Sequence, residues 1–408
     1  MTIVAALMFA LAQGDAPLDA RVSAYVAQLR DETTRDRARD RLVHLGRPAL
    51  VLLEKADVDP ALLASIRQEI VFHESLGASY GPPHLFTLDG SEESLGVLIS
   101  RLETAYGATF QKNSFDLGQK LAIKLDDATF WETLDEVCAK GSMWYYPGND
   151  PPSLNGGMAS LKPRAYYGPI VAVMDRVSQE RRITFNAIES DFTIRLMLAW
   201  ERTIAPLGVN GRFQLTAATD DTGASLLAPP KGPAPLLRSG ALIRNPGRIL
   251  DLSGLKPPSV GSKKLARVEG TFELEFPSRI DEVRFELAPE GPTAGKEKSI
   301  DGATVQLKSF TPTPAWTAAL TVWIKFQDPK EAADFRIGAA DVEYFPAGDQ
   351  RRSSWIGSAK LEEGTTFTFS GTWRSGGRQE LPKEVRIRIP RGVVVKHVPF
   401  CFKDVDLK

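Results

Sequence analysis

The chain has 408 residues, 43% of them hydrophobic and 25% charged. That length suggests several domains, and the composition excludes disorder on the scale of the whole chain. Lys plus Arg is 50 and Asp plus Glu is 51, so there is no global basic field of the kind that displaces counterions from nucleic acid, and no nucleic-acid partner is expected.

In chain order, residues 1–12 read as an export signal. Positions 3–12 form a short apolar run, and Ala10-Leu11-Ala12 has the small-x-small pattern of a cleavage site. No Lys or Arg precedes the run. The run is too short to span a bilayer as a helix, and no later stretch approaches that length. The mature chain is therefore expected to be exported to the periplasm or cell envelope, without a transmembrane segment.

Residues 17–76 read as a helical module. Val22, Tyr25, Val26 and Leu29 follow the i, i+3, i+4, i+7 spacing of an amphipathic helix. Gly46 can stop one helix and Pro48 open the next, and Asp59-Pro60 repeats that opening before Leu62, Leu63, Ile66 and Ile70. The order of charged helix, glycine, proline and leucine-rich helix resembles HEAT-type helical repeats. A solenoid needs about three repeats to bury its core, so this module must lean on a neighbouring domain or a partner.

Residues 79–87, with Gly81, Pro82 and Pro83, read as a linker. An α/β unit follows over 90–147. A helix is expected over 92–106, with Leu95, Leu98, Ile99 and Leu102 on one face, and strands over 108–111, 121–125 and 143–146. Thr129-Phe130-Trp131-Glu132 has the spacing of a capping box opening a second helix. The stretch from Ile123-Lys124-Leu125-Asp126-Asp127 to Thr133-Leu134-Asp135-Glu136-Val137 resembles the core of the short N-terminal (STN) domain of secretins and TonB-dependent receptors. Thr133-Leu134 stands where that family prefers Ala-Leu, and Lys140-Gly141-Ser142 replaces its usual Thr-Gly. The resemblance implies a small α/β periplasmic interaction domain without chemistry of its own.

Residues 147–163 are rich in Pro, Gly, Asn and Ser and mark a boundary. Beyond it the pattern is β. Phe192, Ile194, Leu196, Leu198 and Trp200 alternate as in a half-buried strand. The sets Phe272, Leu274, Phe276; Val283, Phe285, Leu287; Leu320, Val322, Ile324, Phe326; and Val385, Ile387, Ile389 do the same. Antiparallel sandwiches fit this spacing, with one β domain over 164–255, a second over 256–408, and the boundary near Lys256. The expected fold class is therefore multi-domain α+β: a helical module, a small STN-like α/β domain and two β-sandwich-like domains.

Strong catalytic motifs do not occur. The Gly-Lys pair within 291–296 is followed by Glu297 and makes no phosphate loop, and His73-Glu74 lacks the second histidine of a metalloprotease. Two cysteines, Cys138 and Cys401, and four scattered histidines, His44, His73, His84 and His397, fall short of a Cys/His zinc site. Cys138 and Cys401 lie in segments of different character and read as separate free thiols rather than a bridge. Asp126-Asp127 reads as the end of a strand rather than a metal site.

Asp221-Thr222-Gly223-Ala224 resembles the signature of aspartic proteases, in which two such aspartates share one proton; a homodimer would supply the second. Thr219-Asp220 replace the apolar lead-in of that family, and the same residues fit a hairpin turn. Trp144-Tyr145-Tyr146 and Tyr166-Tyr167 flank the 147–163 boundary, where aromatic rings either pack an interface or stack on sugars. Arg386, Arg388 and Arg391 could meet an anionic polymer, but a solvated face or a guarded edge strand is the more usual role of such a row. The expected function is a non-catalytic exported envelope protein that binds a protein or polysaccharide or serves as a scaffold, with no cofactor, no metal and no catalytic residue. The alternatives are a dimeric aspartic-protease-like hydrolase using Asp221 and a secretion-system accessory factor.

Overall fold

The structure is a computed structural model that describes residues 17–32, 34–149, 151–157, 162–183, 188–227, 248–287, 294–313, 317–335, 342–345, 354–362, 366–374 and 383–407. The expected signal at 1–12 lies outside these residues. The fold is mixed α+β, with a helical N-terminal region followed by several sheets. Among the described residues no helix is long and apolar enough to cross a membrane.

Among the described residues, four helices come first: α1 (Leu18–Gln28), α2 (Arg35–Leu45), α3 (Arg47–Leu53) and α4 (Pro60–Ser75). Their ends fall where the sequence places them. Gly46 stops α2 at φ 72°, a conformation that costs glycine little, and Pro48 sits in the first turn of α3. Asp59 caps α4 by accepting from Ala61 N and Leu62 N, both at 2.9 Å. Val22, Tyr25, Leu29, Leu42, Leu53, Ile66 and Ile70 form a core of their own.

The α/β unit contains β1 (Leu85–Ser94), α5 (Leu95–Tyr106), β2 (Gln111–Asn113), β3 (Lys120–Thr129), α6 (Phe130–Lys140), β4 (Met143–Tyr146) and β5 (Ser153–Gly156). β1 pairs antiparallel with β3, while β2, β5 and β4 form a separate three-stranded sheet in that order. The capping box is present, with Thr129 accepting from Glu132 N and Glu132 accepting from Thr129 N. The start of this unit corrects the sequence reading. Residues 85–94 are a strand, so part of the expected linker and the first turn of the expected 92–106 helix belong to β1. Phe86 and Leu88 alternate into the core at strand period, and pairing with β3 holds the polar residues 89–94 extended. The expected 108–111 strand is displaced to β2 at 111–113.

The β body starts with β6 (Arg164–Tyr167), β7 (Ile170–Ile183), β8 (Ile188–Trp200), β9 (Gly208–Asp220) and β10 (Arg248–Leu255). β11 (Lys264–Glu286) follows, then β12 (Lys296–Ile300), β13 (Ala303–Thr313), β14 (Thr317–Phe326) and α7 (Pro329–Asp334). β15 (Val342–Phe345), β16 (Ser354–Glu362), β17 (Thr366–Arg374) and β18 (Glu384–Asp406) are the last of the described elements. One sheet has the order β10-β8-β7-β6, a second β15-β18-β11-β9, and a third β12-β13-β14-β17-β16.

β9 and β11 pair from Leu265↔Asp220 to Glu275↔Gly208, so a single sheet is built from both sides of Lys256. The first two sheets also share one core, in which Ile194, Leu196, Leu198 and Leu252 meet Val268, Phe272, Leu274 and Phe400. The expected boundary near Lys256 therefore does not separate two packing units.

β11 and β18 pair along their whole length and join two cores. At one end Phe272, Leu274, Phe276, Val398, Phe400 and Phe402 face the first core. At the other, Val283, Phe285, Val385, Ile387 and Ile389 face the third sheet. Inward residues change from even to odd numbers between Phe276 and Val283, and from odd to even between Ile389 and Val398. The ribbon thus lends opposite faces to its two cores.

The β7-β8 sheet is buried on both faces. Ala172, Met174, Leu196 and Leu198 belong to the core shared with β11 and β18. Their alternates Val171, Val173, Met197 and Ala199 belong to the core of the α/β unit, with Phe130, Trp131, Leu134 and Val137. Unbroken apolar runs such as Ile170–Met174 and Leu196–Trp200 are what a strand covered on both sides requires. β8 is accordingly a fully buried strand over 196–200 rather than the half-buried strand expected from Phe192, Ile194, Leu196, Leu198 and Trp200 alone.

Candidate functional site

The ionisable groups that burial sets apart converge on the turn between β6 and β7, residues 167–170. From the helical module, Asp40 on α2 accepts from Gly168 N at 3.0 Å. From the α/β unit, Trp131 Nε1 donates to Pro169 O at 3.1 Å. From β8, Glu201 N donates to the same carbonyl at 2.8 Å. From β18, Lys396 Nζ donates to Tyr167 OH at 3.0 Å. Gly168 has φ +49°, and a Cβ at this position would overlap the His44 ring, so the turn depends on glycine twice over.

Lys396 is 3% exposed and occupies an inward position of β18, in phase with Val398, Phe400 and Phe402. Its ammonium has three N–H groups and three acceptors: Tyr167 OH, Glu69 Oε1 at 3.0 Å and His73 Nε2 at 2.6 Å. The rings of Phe72, Tyr80 and Tyr167 surround it at 4.9–5.5 Å, within cation–π range. Burial lowers the Lys396 pKa, and the Glu69 carboxylate opposes that shift. Burial and the neighbouring Lys396 charge hold His73 far below the usual histidine range, so its ring is neutral and Nε2 can accept.

Beside it, His44 Nδ1 lies 2.8 Å from Asp40 O and 3.1 Å from Asp40 Oδ1, and Nε2 lies 3.1 Å from Tyr80 OH. The His73 and Tyr80 rings stack at 4.2 Å. Burial pushes the Asp40 carboxyl up, but His44, Arg41 and Gly168 N–H outweigh it and the net shift is downward.

Arg41, 2% exposed, completes the seam. It donates to Asp40 Oδ2 at 3.1 Å and to Asp127 O at 2.8 Å, and pairs with Glu132, the capping residue of α6. Asp127, one of the adjacent aspartates noted in the sequence, accepts from Arg21 Nε at 2.9 Å and from Tyr25 OH, both on α1. It therefore ties the helical module to β3. On the opposite side of the turn, Asp135 of α6 accepts from Arg164 and Tyr166, and Arg164 donates to Tyr145 OH at 2.7 Å. Burial pushes the Asp135 carboxyl up, against the pull of Arg164 and Tyr166.

Of the residues singled out in the sequence, His44, His73 and Tyr167 meet at this seam, whereas Asp221, Cys138 and Cys401 lie elsewhere. Asp221 lies in the turn that follows β9, exposed, with Oδ2 accepting from Lys263 N at 3.1 Å. Its neighbour Asp220 organises that turn by accepting from Thr222 N, Thr222 Oγ1 and Ala224 N through Oδ1 and from Ser259 N through Oδ2. These are the contacts of a turn, as the hairpin reading expects. Cys138 is buried in the α/β core and Cys401 is half-buried on β18, and both are free.

Arg386 is half-buried near Glu282, but Arg391 is 5% exposed. It binds Asp281, Glu331 and Asp301 O and lies over the Phe326 ring. This corrects the reading of Arg391 as part of a solvated face. Among the described residues, no group of three or more His, Cys, Asp and Glu is placed to hold a metal ion.

Sequence reasoning missed Lys396, His73, Asp40 and Arg41. The available signal was one polar residue inside an apolar period: Lys396 before Val398, Phe400 and Phe402, and His73 after Ile66 and Ile70.

No protein-family model and no curated protein matches the chain. Among solved structures, the crystal structure of the conserved domain protein from Bacillus anthracis aligns over 61% of this chain and 91% of that one, at 9% identity and a TM-score of 0.20. At that score the likeness carries nothing over to this chain.

Proposed function

We propose that the protein is a binding and scaffolding component of the exported compartment, holding an interaction unit and a helical module on a β body. One observation carries this reading. Five groups with acid, base or nucleophile chemistry, Lys396, His73, Asp40, Arg41 and Asp135, are buried between elements and each is bonded within the protein: Lys396 to His73, Asp40 to Arg41, and Asp135 to Arg164. They join helices to sheets, whereas a catalytic constellation has to be reachable by its substrate. Within this reading residues 17–76 act as a HEAT-like clamp, residues 90–147 as an STN-like interaction unit, and the sheets as sandwich-like supports. The partner is an envelope protein or polysaccharide.

Two measurements test the proposal. N-terminal sequencing of protein recovered from its native host should begin at Gln13, and the purified mature chain should sediment with isolated envelope. An unprocessed cytosolic chain that stays in the supernatant contradicts it.

A further inference from the structure

The small sheet β2-β5-β4 turns one face outward, and its side chains form an ordered pattern. On β4, Met143 and Tyr145 are buried, while Trp144 and Tyr146 are 45% and 41% exposed. The pairing register sets Trp144 opposite Asn155 and Asn113, and Tyr146 opposite Ser153 and Gln111. Two cross-strand rows result, each with an aromatic ring at one end, a short side chain in the middle and an amide at the other end. The amide rows are tied together: Asn113 Nδ2 donates to Asn155 Oδ1 at 3.0 Å, Asn155 Nδ2 to Ser153 O at 3.1 Å, and Ser153 Oγ to Gln111 Oε1 at 3.3 Å.

In relief this is a trough about 9–10 Å across, two strand spacings, with a wall of rings, a low floor and a wall of amides. Gly157 lies beside Trp144 and Gly148 against Tyr146, and a Cβ at Gly148 would overlap the Tyr146 ring. The only charged residue of the three strands is Lys112, which has the opposite parity and is held 2.6 Å from Glu103.

We propose that this trough binds a neutral, pyranose-based glycan. The inference rests on the binding reading above and narrows its partner to polysaccharide. A pyranose has an apolar C–H face that lies flat on an aromatic ring, and equatorial hydroxyls at its rim that both donate and accept. Planar amides match that rim because each offers a donor and an acceptor side by side. Strands whose outward positions, among the described residues, carry no ionic group suit an uncharged ligand and not an acidic one, since an unpaired buried charge would weaken binding. Trp144 and Tyr146 are stiff side chains with few torsions to immobilise, so little is lost in ordering them.

The test is calorimetric titration of the full mature chain with cellohexaose, laminarihexaose, mannohexaose and polygalacturonate, beside Trp144→Ala, Tyr146→Ala and Trp144→Phe. At least one neutral oligosaccharide should bind. Each alanine variant should weaken that binding tenfold or more at an unchanged melting temperature, and Trp144→Phe should retain most of it. Equal binding by wild type and both alanine variants overturns the site, and binding of polygalacturonate alone overturns the neutral ligand. A chain that binds none of the four yet sediments with envelope loses this inference and keeps the broader reading; one that does neither loses both.

Discussion

The helical module and the α/β unit both dock on the turn between β6 and β7, but by different physics. Helices α2 and α4 present Asp40, Arg41, His44, Glu69 and His73 to the body and are met by Gly168 N–H, Glu132, Tyr80 and Lys396. Helix α6 presents Phe130, Trp131, Leu134 and Val137 and is met by Val171, Val173, Met197 and Ala199. The first seam is a charged network in which each group depends on its partners, because a buried charge left alone is costly. The second is mainly close-packed apolar surface, to which Asp135 and Arg164 add a buried ion pair; its packed part tolerates charge changes elsewhere but not lost volume. Two attachments of similar reach should therefore fail under different insults.

The largest effects should come from removing the centre of either seam. Trp131→Ala leaves a cavity under the β7-β8 sheet and should lower the unfolding free energy by about 3–5 kcal/mol. Arg41→Ala strands Asp40 and Glu132 and should cost about 3–5 kcal/mol as well. The two are separable by combination with high salt. The Trp131→Ala loss should not worsen at high ionic strength. The partly exposed outer pairs of the charged seam, such as Arg37–Glu132 at 3.3 Å, are open to screening, so the Arg41→Ala variant should weaken further in denaturant titrations. A smaller effect follows at the turn itself. Gly168→Ala forces an alanine to φ near +49° and a Cβ into the His44 ring. The conformation alone should cost about 1–2 kcal/mol, read as a lower melting temperature.

Smallest in energy, but simple to read, is thiol reactivity. Burial raises the Cys138 pKa strongly and the Cys401 pKa to a lesser degree. Maleimide labelling of the native protein should modify Cys401 slowly and Cys138 only after denaturation. Equal labelling of both thiols in the native state would mean that the apolar seam opens readily.

The elements that local chemistry dictates were legible in the sequence. The caps at Gly46 and Asp59, the Thr129–Glu132 box and the alternating strands each depend on a few neighbouring residues. What local pattern could not show was placement. The second half of β1, residues 89–94, is polar and is held extended by pairing with β3, while Phe86 and Leu88 in its first half alternate into the core. The change of phase between Phe276 and Val283 read as two separate strands, whereas it marks one ribbon passing from one core to the other. Lys396 finds Tyr167 and Glu69 across 229 and 327 residues of sequence, so nothing near it announces its partners. The interdomain aromatic pair was more informative than it looked: Tyr167 and the glycine after it form the turn on which both modules converge. Residues 90–147 read as a separable domain, yet they cover Val171, Val173, Met197 and Ala199. Deleting them would expose an apolar face of the body, and surface substitutions are the sounder probe of their role.

Acid separates the two seams by sign. The His73 pKa is depressed in the folded state from its ordinary 6.5. Below about pH 6.5 the unfolded chain takes up a proton that the folded chain refuses, and stability contributed at this seam falls as pH falls. Asp135, at the α/β seam, is shifted upward in the folded state; the folded chain holds that proton more tightly, so acid does not weaken the seam through this group. Amide hydrogen exchange, compared between about pH 8 and about pH 5 after correction for the intrinsic rate, tests the central claim most directly. The account predicts that helices α1 to α4 lose protection at the lower pH while α5, α6 and the β7-β8 sheet keep theirs. Uniform loss across all of these, or loss confined to α5 and α6, would contradict a charge-sealed helical module on an apolar-sealed body.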